Sequence, residues 1–234
     1  MRILTWNCNM AFRKKYKRIV EDFAPDIMVI QECEEPNKLQ FVTDGQFAIE
    51  WVGDNRNKGL AILSKNNLKI QQLILAHRNV RYMLPVEVDN IYKIIAFWAM
   101  NDKKDWKQRY IGQVWVGLNT CLSYIDDKTF VIGDFNWNVI WDDPVTVPLY
   151  GKLTDVINLL KKFRIESSYH YLRSEDFGKE AEKTFYLQRR LDKGYHTDYI
   201  FAPAGVLGRA KSFVVGKYDK WTRYSDHMPL CIEF

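Results

Sequence analysis

The first thirty residues alternate between short apolar runs and one amphipathic segment. Residues 2–6 have the pattern of a strand. Across residues 12–23, apolar side chains recur at helical spacing and basic residues occupy the other face, which predicts an amphipathic helix. Ala24-Pro25-Asp26 ends this helix, because the residue before a proline resists the helical region. The continuous apolar run at 27–30 is typical of a strand covered on both faces.

The middle of the chain predicts strands followed by a long helix. Strand-like runs lie at 59–64, 68–75, 83–88 and 91–98, and Asp89-Asn90 between the last two suits a two-residue hairpin turn. We therefore expect antiparallel or mixed pairing here. From residue 106 to 125, the apolar positions trace one broad helical stripe.

The last hundred residues continue the mixed pattern. A strand at 129–132 is followed by a helix at about 154–163, with Thr154 as the expected N-cap, and by weaker strands at 184–187, 196–202, 210–215 and 228–234. The polar stretch 174–183 is interpreted as a surface loop. Strands and helices interspersed along the whole length, with no repeat or linker, predict one layered α/β or α+β domain over residues 1–234.

Composition supports a packed domain and leaves the partner open. The 234 residues are 47% apolar and carry a formal charge of +5, which suits a polyanion without requiring one. We expect neither a secretory signal, since a strand begins directly after Met1, nor a membrane partner, since no apolar run is long enough to span one. The cysteines Cys8, Cys33, Cys121 and Cys231 form no CxxC pair, and we interpret them as reduced core thiols of a cytoplasmic protein.

Polar residues directly after apolar strands, within one such run (Asp198) or immediately before one (Asp226 and His227) carry the candidate chemistry. They are Asn7, Asn9, Glu32, Asp134, Asn136, Asp198, Asp226 and His227. A layered sheet can gather such strand ends on one rim. Hydrolysis of a phosphodiester requires a hard cation, a group that activates water and donors for developing charge, and carboxylates, amides and imidazole supply them. Glu32 with Asn7 makes a sparse but sufficient Mg²⁺ cage.

Six motifs in this order resemble the endonuclease/exonuclease/phosphatase superfamily. They are Ile3-Leu-Thr-Trp-Asn-Cys-Asn9, Pro25-Asp-Ile-Met-Val-Ile-Gln-Glu32, Lys58-Gly-Leu-Ala-Ile-Leu-Ser64, Ile132-Gly-Asp-Phe-Asn136, His196-Thr-Asp-Tyr199 and Ser225-Asp-His-Met-Pro229. They extend over nearly the whole chain. The resemblance implies a four-layer sandwich of two packed mixed β-sheets flanked by helices. It also implies a metal-dependent phosphodiester hydrolase that uses Mg²⁺, with Mn²⁺ as a substitute.

The resemblance also assigns roles by position. Glu32 is implied as the principal metal ligand, assisted by Asn7, with Asp226 close enough to help hold the cation or its water. Asp134 would orient or deprotonate the attacking water, and Asn136 would hold that water or a phosphate oxygen. The last two roles fall to His227, which would contact the scissile phosphate, and Asp198, which would fix the imidazole ring. A protonated His227 predicts activity that falls as pH rises past its pKa.

Two positions depart from the family pattern. Where relatives have text like Tyr-Ala-Pro-Asn, this chain has Trp98-Ala-Met-Asn101. An indole donates one hydrogen bond and cannot act as acid, base or acceptor. Either Trp98 stacks on or borders the substrate, or a neighbour such as Asn101 holds the phosphate. Asn9, where some relatives carry an aspartate, is the third expected substrate-binding residue.

Three functions remain open at this stage. A nuclease that cleaves DNA is favoured; a phosphatase or phosphodiesterase for a small molecule, nucleotide or lipid headgroup is the alternative, and a catalytically silent nucleic-acid-binding module is the third. Taken singly, each candidate residue also has an ordinary structural explanation, such as a turn, a surface carboxylate or a packed histidine. The basic cluster at 13–18 suits a solvated helix face, and Trp221 among Lys and Arg residues suggests base stacking. No protein partner is predicted.

Overall fold

The computed structural model describes residues 1–74, 80–143 and 148–234, with residues 41 and 42 described in their backbone alone. The strands are β1 (Arg2–Asn7), β2 (Ile27–Cys33), β3 (Phe47–Asn55), β4 (Lys58–Lys65), β5 (Ile70–Gln72), β6 (Met83–Val88), β7 (Tyr92–Trp98), β8 (Thr129–Asp134), β9 (Ile165–Ser167), β10 (Phe185–Tyr186), β11 (Gly194–Tyr195), β12 (Asp198–Pro203), β13 (Ser212–Val215) and β14 (Leu230–Glu233). The α-helices are α1 (Tyr16–Phe23), α2 (Pro36–Thr43), α3 (Ile111–Thr120), α4 (Leu153–Lys161), α5 (Ser168–Arg173), α6 (Ala204–Leu207) and α7 (Tyr218–Trp221).

Two six-stranded mixed sheets form the body of the domain. Their strand orders are β13-β14-β1-β2-β4-β3 and β5-β6-β7-β8-β12-β9, and β10 and β11 form a separate two-stranded hairpin. Parallel pairs, β1 with β2 and β7 with β8, lie near the centre of each sheet and are flanked by antiparallel neighbours. This arrangement confirms the expected layered fold of two mixed sheets with helices in a single domain.

Alternating side chains of the second sheet serve two separate cores. Along β8, Phe130 and Ile132 join a core shared with the first sheet, whereas Val131 joins a core with α3 and α4. The first core also takes in Ile19 of α1 and Leu39 of α2. Both faces of β8 are therefore buried, which explains its continuous apolar sequence. In the part of the chain that the structure describes, no helix is long and apolar enough to cross a bilayer.

Several local predictions need correction. The apolar stripe at 106–125 predicts one continuous helix, and this prediction is wrong. Tyr110 adopts φ 52° and ψ −125° and separates a 3₁₀ turn (Trp106–Gln108) from α3. A second 3₁₀ turn (Leu122–Tyr124) follows α3. Thr154 is wrong as the N-cap, since α4 begins at Leu153.

The remaining local features concern loops, caps and short elements. The carboxylate of Asp142 caps α4 by accepting hydrogen bonds from the N–H groups of Leu153 and Thr154 at 3.0 and 2.9 Å. The hairpin turn at Asp89 and Asn90 is confirmed, with φ angles of 49° and 54°. Strand 68–75 shortens to β5, and its last residue lies outside the described residues. The strand β3 and the helix α2 were not predicted.

Candidate active site

Strand register brings the candidate residues to one edge of the sandwich. In the second sheet, Trp98 at the end of β7 and Asp198 at the start of β12 are both Cα partners of Asp134 at the end of β8. In the first sheet, Asn7 at the end of β1 pairs with Gln31 of β2. The ends of parallel neighbours lie at the same edge, so the polar residues that follow them meet there.

Asp134 is the most buried acid of the cluster. Its carboxylate is fully buried and accepts hydrogen bonds from Asn7 Nδ2 at 3.0 Å, from the Asn136 N–H at 2.8 Å and from Asn136 Nδ2 at 3.1 Å. Burial raises the pKa of Asp134 far above that of an ordinary carboxyl group, while the nearby His227 opposes the rise. A buried carboxyl group with a raised pKa is suited to accept a proton near neutral pH.

The glycine before Asp134 permits the close approach of β7 and β8. Gly133 has φ +142°, and a Cβ atom there would stand 1.9 Å from the backbone oxygen of Phe97. No L-residue side chain fits that space. Gly133 therefore fixes the backbone from which the Asp134 carboxylate projects.

His227 and Asp198 form a buried ion pair beside Asp134. His227 Nδ1 donates to Asp198 Oδ2 at 2.9 Å, and Nε2 lies 3.9 Å from Asp134 Oδ2. Burial alone lowers the pKa of His227, but the charges of Asp198 and Asp134 outweigh burial and raise it to about 10. The imidazole is therefore positively charged at neutral pH, with its ring 4.6 Å from that of Phe185.

The backbone around His227 is fixed by contacts with β1 of the first sheet. Ser225 Oγ donates to the carbonyl oxygen of Asn7 at 2.7 Å and accepts the His227 N–H at 3.0 Å. Trp6 Nε1 donates to the carbonyl oxygen of His227 at 2.9 Å. The contacts of Ser225 with Asn7 and of Trp6 with His227 each join residues more than two hundred positions apart, so the site is assembled by the fold.

A strained loop after β1 positions Asn9. Asn9, Met10 and Ala11 have φ angles of 51°, 60° and 51°, a left-handed run that costs free energy in residues other than glycine. The Lys15 ammonium group donates to the carbonyl oxygens of Cys8 and Asn9 and holds this run in place. Asn9 Nδ2 consequently reaches Asp226 Oδ1 at 2.9 Å.

Glu32 occupies a bulge at the end of β2. The register between β2 and β4 shifts between Gln31 and Cys33, and Glu32 has φ 59°. Its carboxylate lies 3.6 Å from the Lys58 ammonium group and accepts no hydrogen bond from any residue that the structure describes. The Glu32 oxygens are therefore open to a hard cation such as Mg²⁺ or Mn²⁺. Of the other two predicted ligands, Asn7 accepts the Asn9 N–H through Oδ1, and Asp226 accepts Asn9 Nδ2 through Oδ1.

A second group of side chains could hold a metal by proximity alone. Potential ligand atoms of Asp134, Asp198 and His227 lie within 4.8 Å of one another. Several of these atoms are already engaged, since Nδ1 of His227 donates to Asp198 and both oxygens of Asp134 accept hydrogen bonds. The assignment of the cation to Glu32, Asn7 and Asp226 stays a prediction.

The structure links seven of the ten candidate residues by direct contacts. They are Asn7, Asn9, Asp134, Asn136, Asp198, Asp226 and His227, with Glu32 next along the sheet edge. Trp98 lies beside them but is only 2% exposed, with Tyr82 tilted against its ring at 4.7 Å. Asn101 is exposed and lines a neighbouring cavity of about 590 Å³ together with Arg81 and Lys103.

Two further sequence-based hypotheses look different in the structure. Trp221 is 1% exposed and its ring packs 5.3 Å from that of Trp6, so this indole belongs to the core and presents no face to a base. In the basic cluster, Arg13 pairs with Glu34 and Arg18 pairs with Asp22. These side chains have protein partners, as a structural role requires.

Three contributors to the site had been given no role. Ser225 and Phe185 contact His227, and Lys58 lies beside both Glu32 and Trp98. Ser225 and Lys58 belong to two of the six motifs that resemble the family, so the sequence did carry a signal for them. Phe185 carried none, because an isolated β-bridge between Phe185 and His227 brings it to the site.

Comparisons with solved structures agree on the fold. An AP endonuclease from Archaeoglobus fulgidus is 18% identical with a TM-score of 0.74, covering 100% of this chain and 99% of that one. A 3'-5' exonuclease (NExo) from Neisseria meningitidis is 20% identical with a TM-score of 0.68, covering 100% and 99%. D. rerio TDP2 complexed with a single-strand DNA product is 14% identical with a TM-score of 0.64, covering 99% and 97%. A search of curated proteins gave no match.

A family model gives the assignment that these low identities cannot give. The model described as Endonuclease/Exonuclease/phosphatase family matches residues 4–227, which includes every strand end of the site. The enzymes of this superfamily are phosphodiesterases and nucleases, hydrolases that act on phosphoester bonds. The chain belongs to the Endonuclease/Exonuclease/phosphatase family.

Proposed function

We propose that the protein is a Mg²⁺-dependent phosphodiesterase that cleaves nucleic acid, with DNA as the favoured substrate. The observation that carries the proposal is the buried contact chain from Asn7 through Asp134 to His227 and Asp198. It places a carboxylate with a raised pKa beside a charged imidazole at the edge where strands of both sheets end. Acyl transfer at this site is not supported, since no serine or cysteine among the described residues contacts the imidazole ring of His227.

Each buried group has one task in this proposal. Asp134 takes the proton from the attacking water, and Asn136 helps to position that water. The Asn136 amide is itself held by donating to Asp134 and to the carbonyl oxygen of Ala99 at 2.9 Å. His227 stabilises the charge that develops on the phosphate oxygens. Asp198 keeps the imidazole protonated and fixes its orientation through Nδ1.

Glu32, Asn7 and Asp226 would hold the cation. A divalent cation at these oxygens would neutralise phosphate charge and would favour departure of the leaving oxygen. The donor set of carboxylate and amide oxygens suits Mg²⁺, with Mn²⁺ as a substitute. Glu32 is 19% exposed in its side chain, so the carboxylate is open to an incoming ion.

Charge and structural relatives support nucleic acid as the substrate class. The chain carries a net charge of +5, and basic side chains such as Lys58 and Lys15 adjoin the site. Among similar structures, a 3' phosphatase (NExo) from Neisseria is bound to a product DNA hairpin and TDP2 to a single-strand DNA product. We propose the same class of substrate for the present chain.

We also propose that the protein works in a reducing, cytoplasmic setting. All four cysteines are buried free thiols, and burial raises the pKa of each. Such thiols are poor nucleophiles and do not need an oxidising compartment. Fractionation of cells that express a tagged chain would test this location.

A substrate panel tests the proposal. Purified protein is incubated with plasmid, single-stranded and duplex oligonucleotides, RNA and small phosphoesters, in Mg²⁺ or in EDTA. We expect cleavage of DNA in Mg²⁺ alone, with losses of at least about 100-fold in Glu32→Gln and His227→Ala. Glu21→Gln, at an exposed glutamate of α1, is the matched control and should cleave as the wild type does.

Other outcomes of the panel would change the assignment in defined ways. Turnover of a small phosphoester without polymer cleavage would move it to the phosphatase or phosphodiesterase alternative. Equal inertness of wild type and variants on every substrate, with retained DNA binding, would favour the silent binding module.

A further inference from the structure

Lys58 is a charged residue of the site edge that the proposed mechanism leaves unused. Its ammonium group lies 3.6 Å from Glu32 Oε2 and 4.9 Å from the centroid of the Trp98 ring. Its side chain is 33% exposed. In the part of the chain that the structure describes, this ammonium group donates no hydrogen bond, so its three N–H donors remain available to a ligand.

The backbone fixes the start of the Lys58 side chain firmly. Lys58 opens β4, and the next residue, Gly59, pairs with Cys33 directly after the Glu32 bulge. A Cβ atom at Gly59 would stand 2.6 Å from the ring of Trp51, whose Nε1 donates to the carbonyl oxygen of Cys33 at 3.1 Å. Trp51 thus locks the bulge and the first residues of β4 together, and Lys58 has to project along the same edge as Glu32.

The environment of Lys58 explains how an indole can serve at position 98. Trp98 is the Cα partner of Asp134, so its ring stands beside the reacting groups although it is buried. An indole ring offers neither a hydroxyl nor an imidazole to a phosphate. It is, however, the best aromatic face for a cation, and one face of Trp98 is occupied by the Lys58 ammonium group while Tyr82 packs against the ring.

We propose that Lys58 is a phosphate-binding residue of this site, and that Trp98 is the positioning residue that holds its ammonium group above the ring face next to Glu32. The inference rests on the proposed function and deepens it. The ligand is a non-bridging oxygen of the scissile phosphodiester or of the phosphate next to it. A cation bound by Glu32 would take over the charge that Lys58 now faces, and the ammonium group would then be free to pair with the phosphate.

Salt dependence of oligonucleotide binding tests this role directly. Binding is measured in the Glu32→Gln background. There the substrate stays intact, and the Lys58 ammonium group no longer faces the carboxylate of Glu32. Addition of Lys58→Met should reduce the slope of log K against log[KCl] by about 0.9 on duplex DNA or about 0.7 on a single strand. Between 50 and 200 mM KCl, the parent should therefore lose about threefold more affinity than the Lys58→Met variant.

Matched variants separate this role from general charge and from folding. Lys65 lies at the opposite end of β4 and pairs with Asp26 at 2.7 Å. Lys65→Met should leave the slope unchanged, and Lys58→Arg should keep it. Trp98→Phe retains an aromatic face and should keep most of the slope, whereas Trp98→Leu should reduce the slope as Lys58→Met does. Thermal unfolding and circular dichroism should show that both Trp98 variants fold.

The outcomes separate failure of this inference from failure of the proposed function. If oligonucleotides bind but Lys58→Met leaves the slope unchanged in the Glu32→Gln background, Lys58 merely neutralises Glu32 and the inference is wrong. If Trp98→Leu leaves the slope unchanged while Lys58→Met reduces it, the positioning role of Trp98 is wrong. If the parent binds no oligonucleotide, the nucleic-acid function fails and the role of Lys58 on this substrate fails with it.

Discussion

Asp198→Asn separates the charge of Asp198 from its orientation of His227. Asp198 is 1% exposed, and its Oδ2 lies 2.9 Å from His227 Nδ1. The amide oxygen of asparagine can still accept the hydrogen bond from Nδ1, and the side chain keeps its size. The ring therefore stays in place while the buried negative charge disappears.

The structure gives the direction and scale of the effect. The pKa of His227 rises from 6.5 to about 10, and Asp198 is the strongest of the charges that raise it. This difference of about 3.5 pH units corresponds to about 5 kcal/mol in favour of the imidazolium form. A raised histidine pKa keeps the charged form up to that pH and loses it above. Removal of the Asp198 charge should lower the pKa of His227 by at least about one unit.

Initial rates on a labelled oligonucleotide between pH 6 and 10 provide the assay. We expect kcat to fall by about 10²-fold to 10³-fold at pH 8, with the alkaline limb at least one pH unit below that of the wild type. Asp126→Asn is the matched control, since Asp126 pairs with Lys93 at 2.7 Å near the other end of β8. An alkaline limb that stays at the wild-type pH in Asp198→Asn would refute the reasoning.

Three further predictions concern the frame around the site. Gly133→Ala should lower the melting temperature by several degrees and abolish cleavage, because its Cβ would meet the Phe97 oxygen at 1.9 Å; calorimetry and the cleavage assay check this. Burial alone raises the pKa of Glu180, but hydrogen bonds from His170 and from the Gly178 N–H lower it to about 2. Up to about 3 kcal/mol of stability should therefore be lost as pH falls from about 4.5 to 2. In urea unfolding, Glu180→Gln should flatten that dependence. Trp221→Ala should cost about 3–5 kcal/mol of stability and leave the salt slope of DNA binding unchanged in the fraction that folds.

The strand ends could be predicted from the sequence because they depend on local pattern and simple topology. Short apolar runs before Asn7, Glu32 and Asp134 indicate buried strands, and parallel neighbours must end at the same edge. The polar residues that follow them therefore had to meet once the strands were adjacent. The hairpin turn at Asp89-Asn90 was predictable for a similar reason, since both residues tolerate positive φ.

Other features depend on contacts that no local pattern contains. The positive φ of Tyr110 interrupts a stripe that is apolar without a break, and β3 (Phe47–Asn55) is half-buried and lacks a clear alternation. The Glu32 bulge is a property of the β2–β4 register. Glu180 seemed to lie in a polar surface loop, yet it is buried against His170, which only the folded position of α5 provides.

The departure at Trp98 and the unassigned Lys58 are two sides of one arrangement. A tyrosine or histidine at the end of β7 would bring its own polar group to the rim, and a lysine beside it would be a second phosphate-binding group. With tryptophan there, β7 brings neither a hydroxyl group nor an imidazole to the rim, and the nearest replacement is the ammonium group that the indole face attracts from β4. That replacement joins two sheets, since Lys58 belongs to the first and Trp98 to the second. The phosphate-binding charge would then depend on how the sheets pack, and core variants between them should alter substrate affinity even where every strand end is intact.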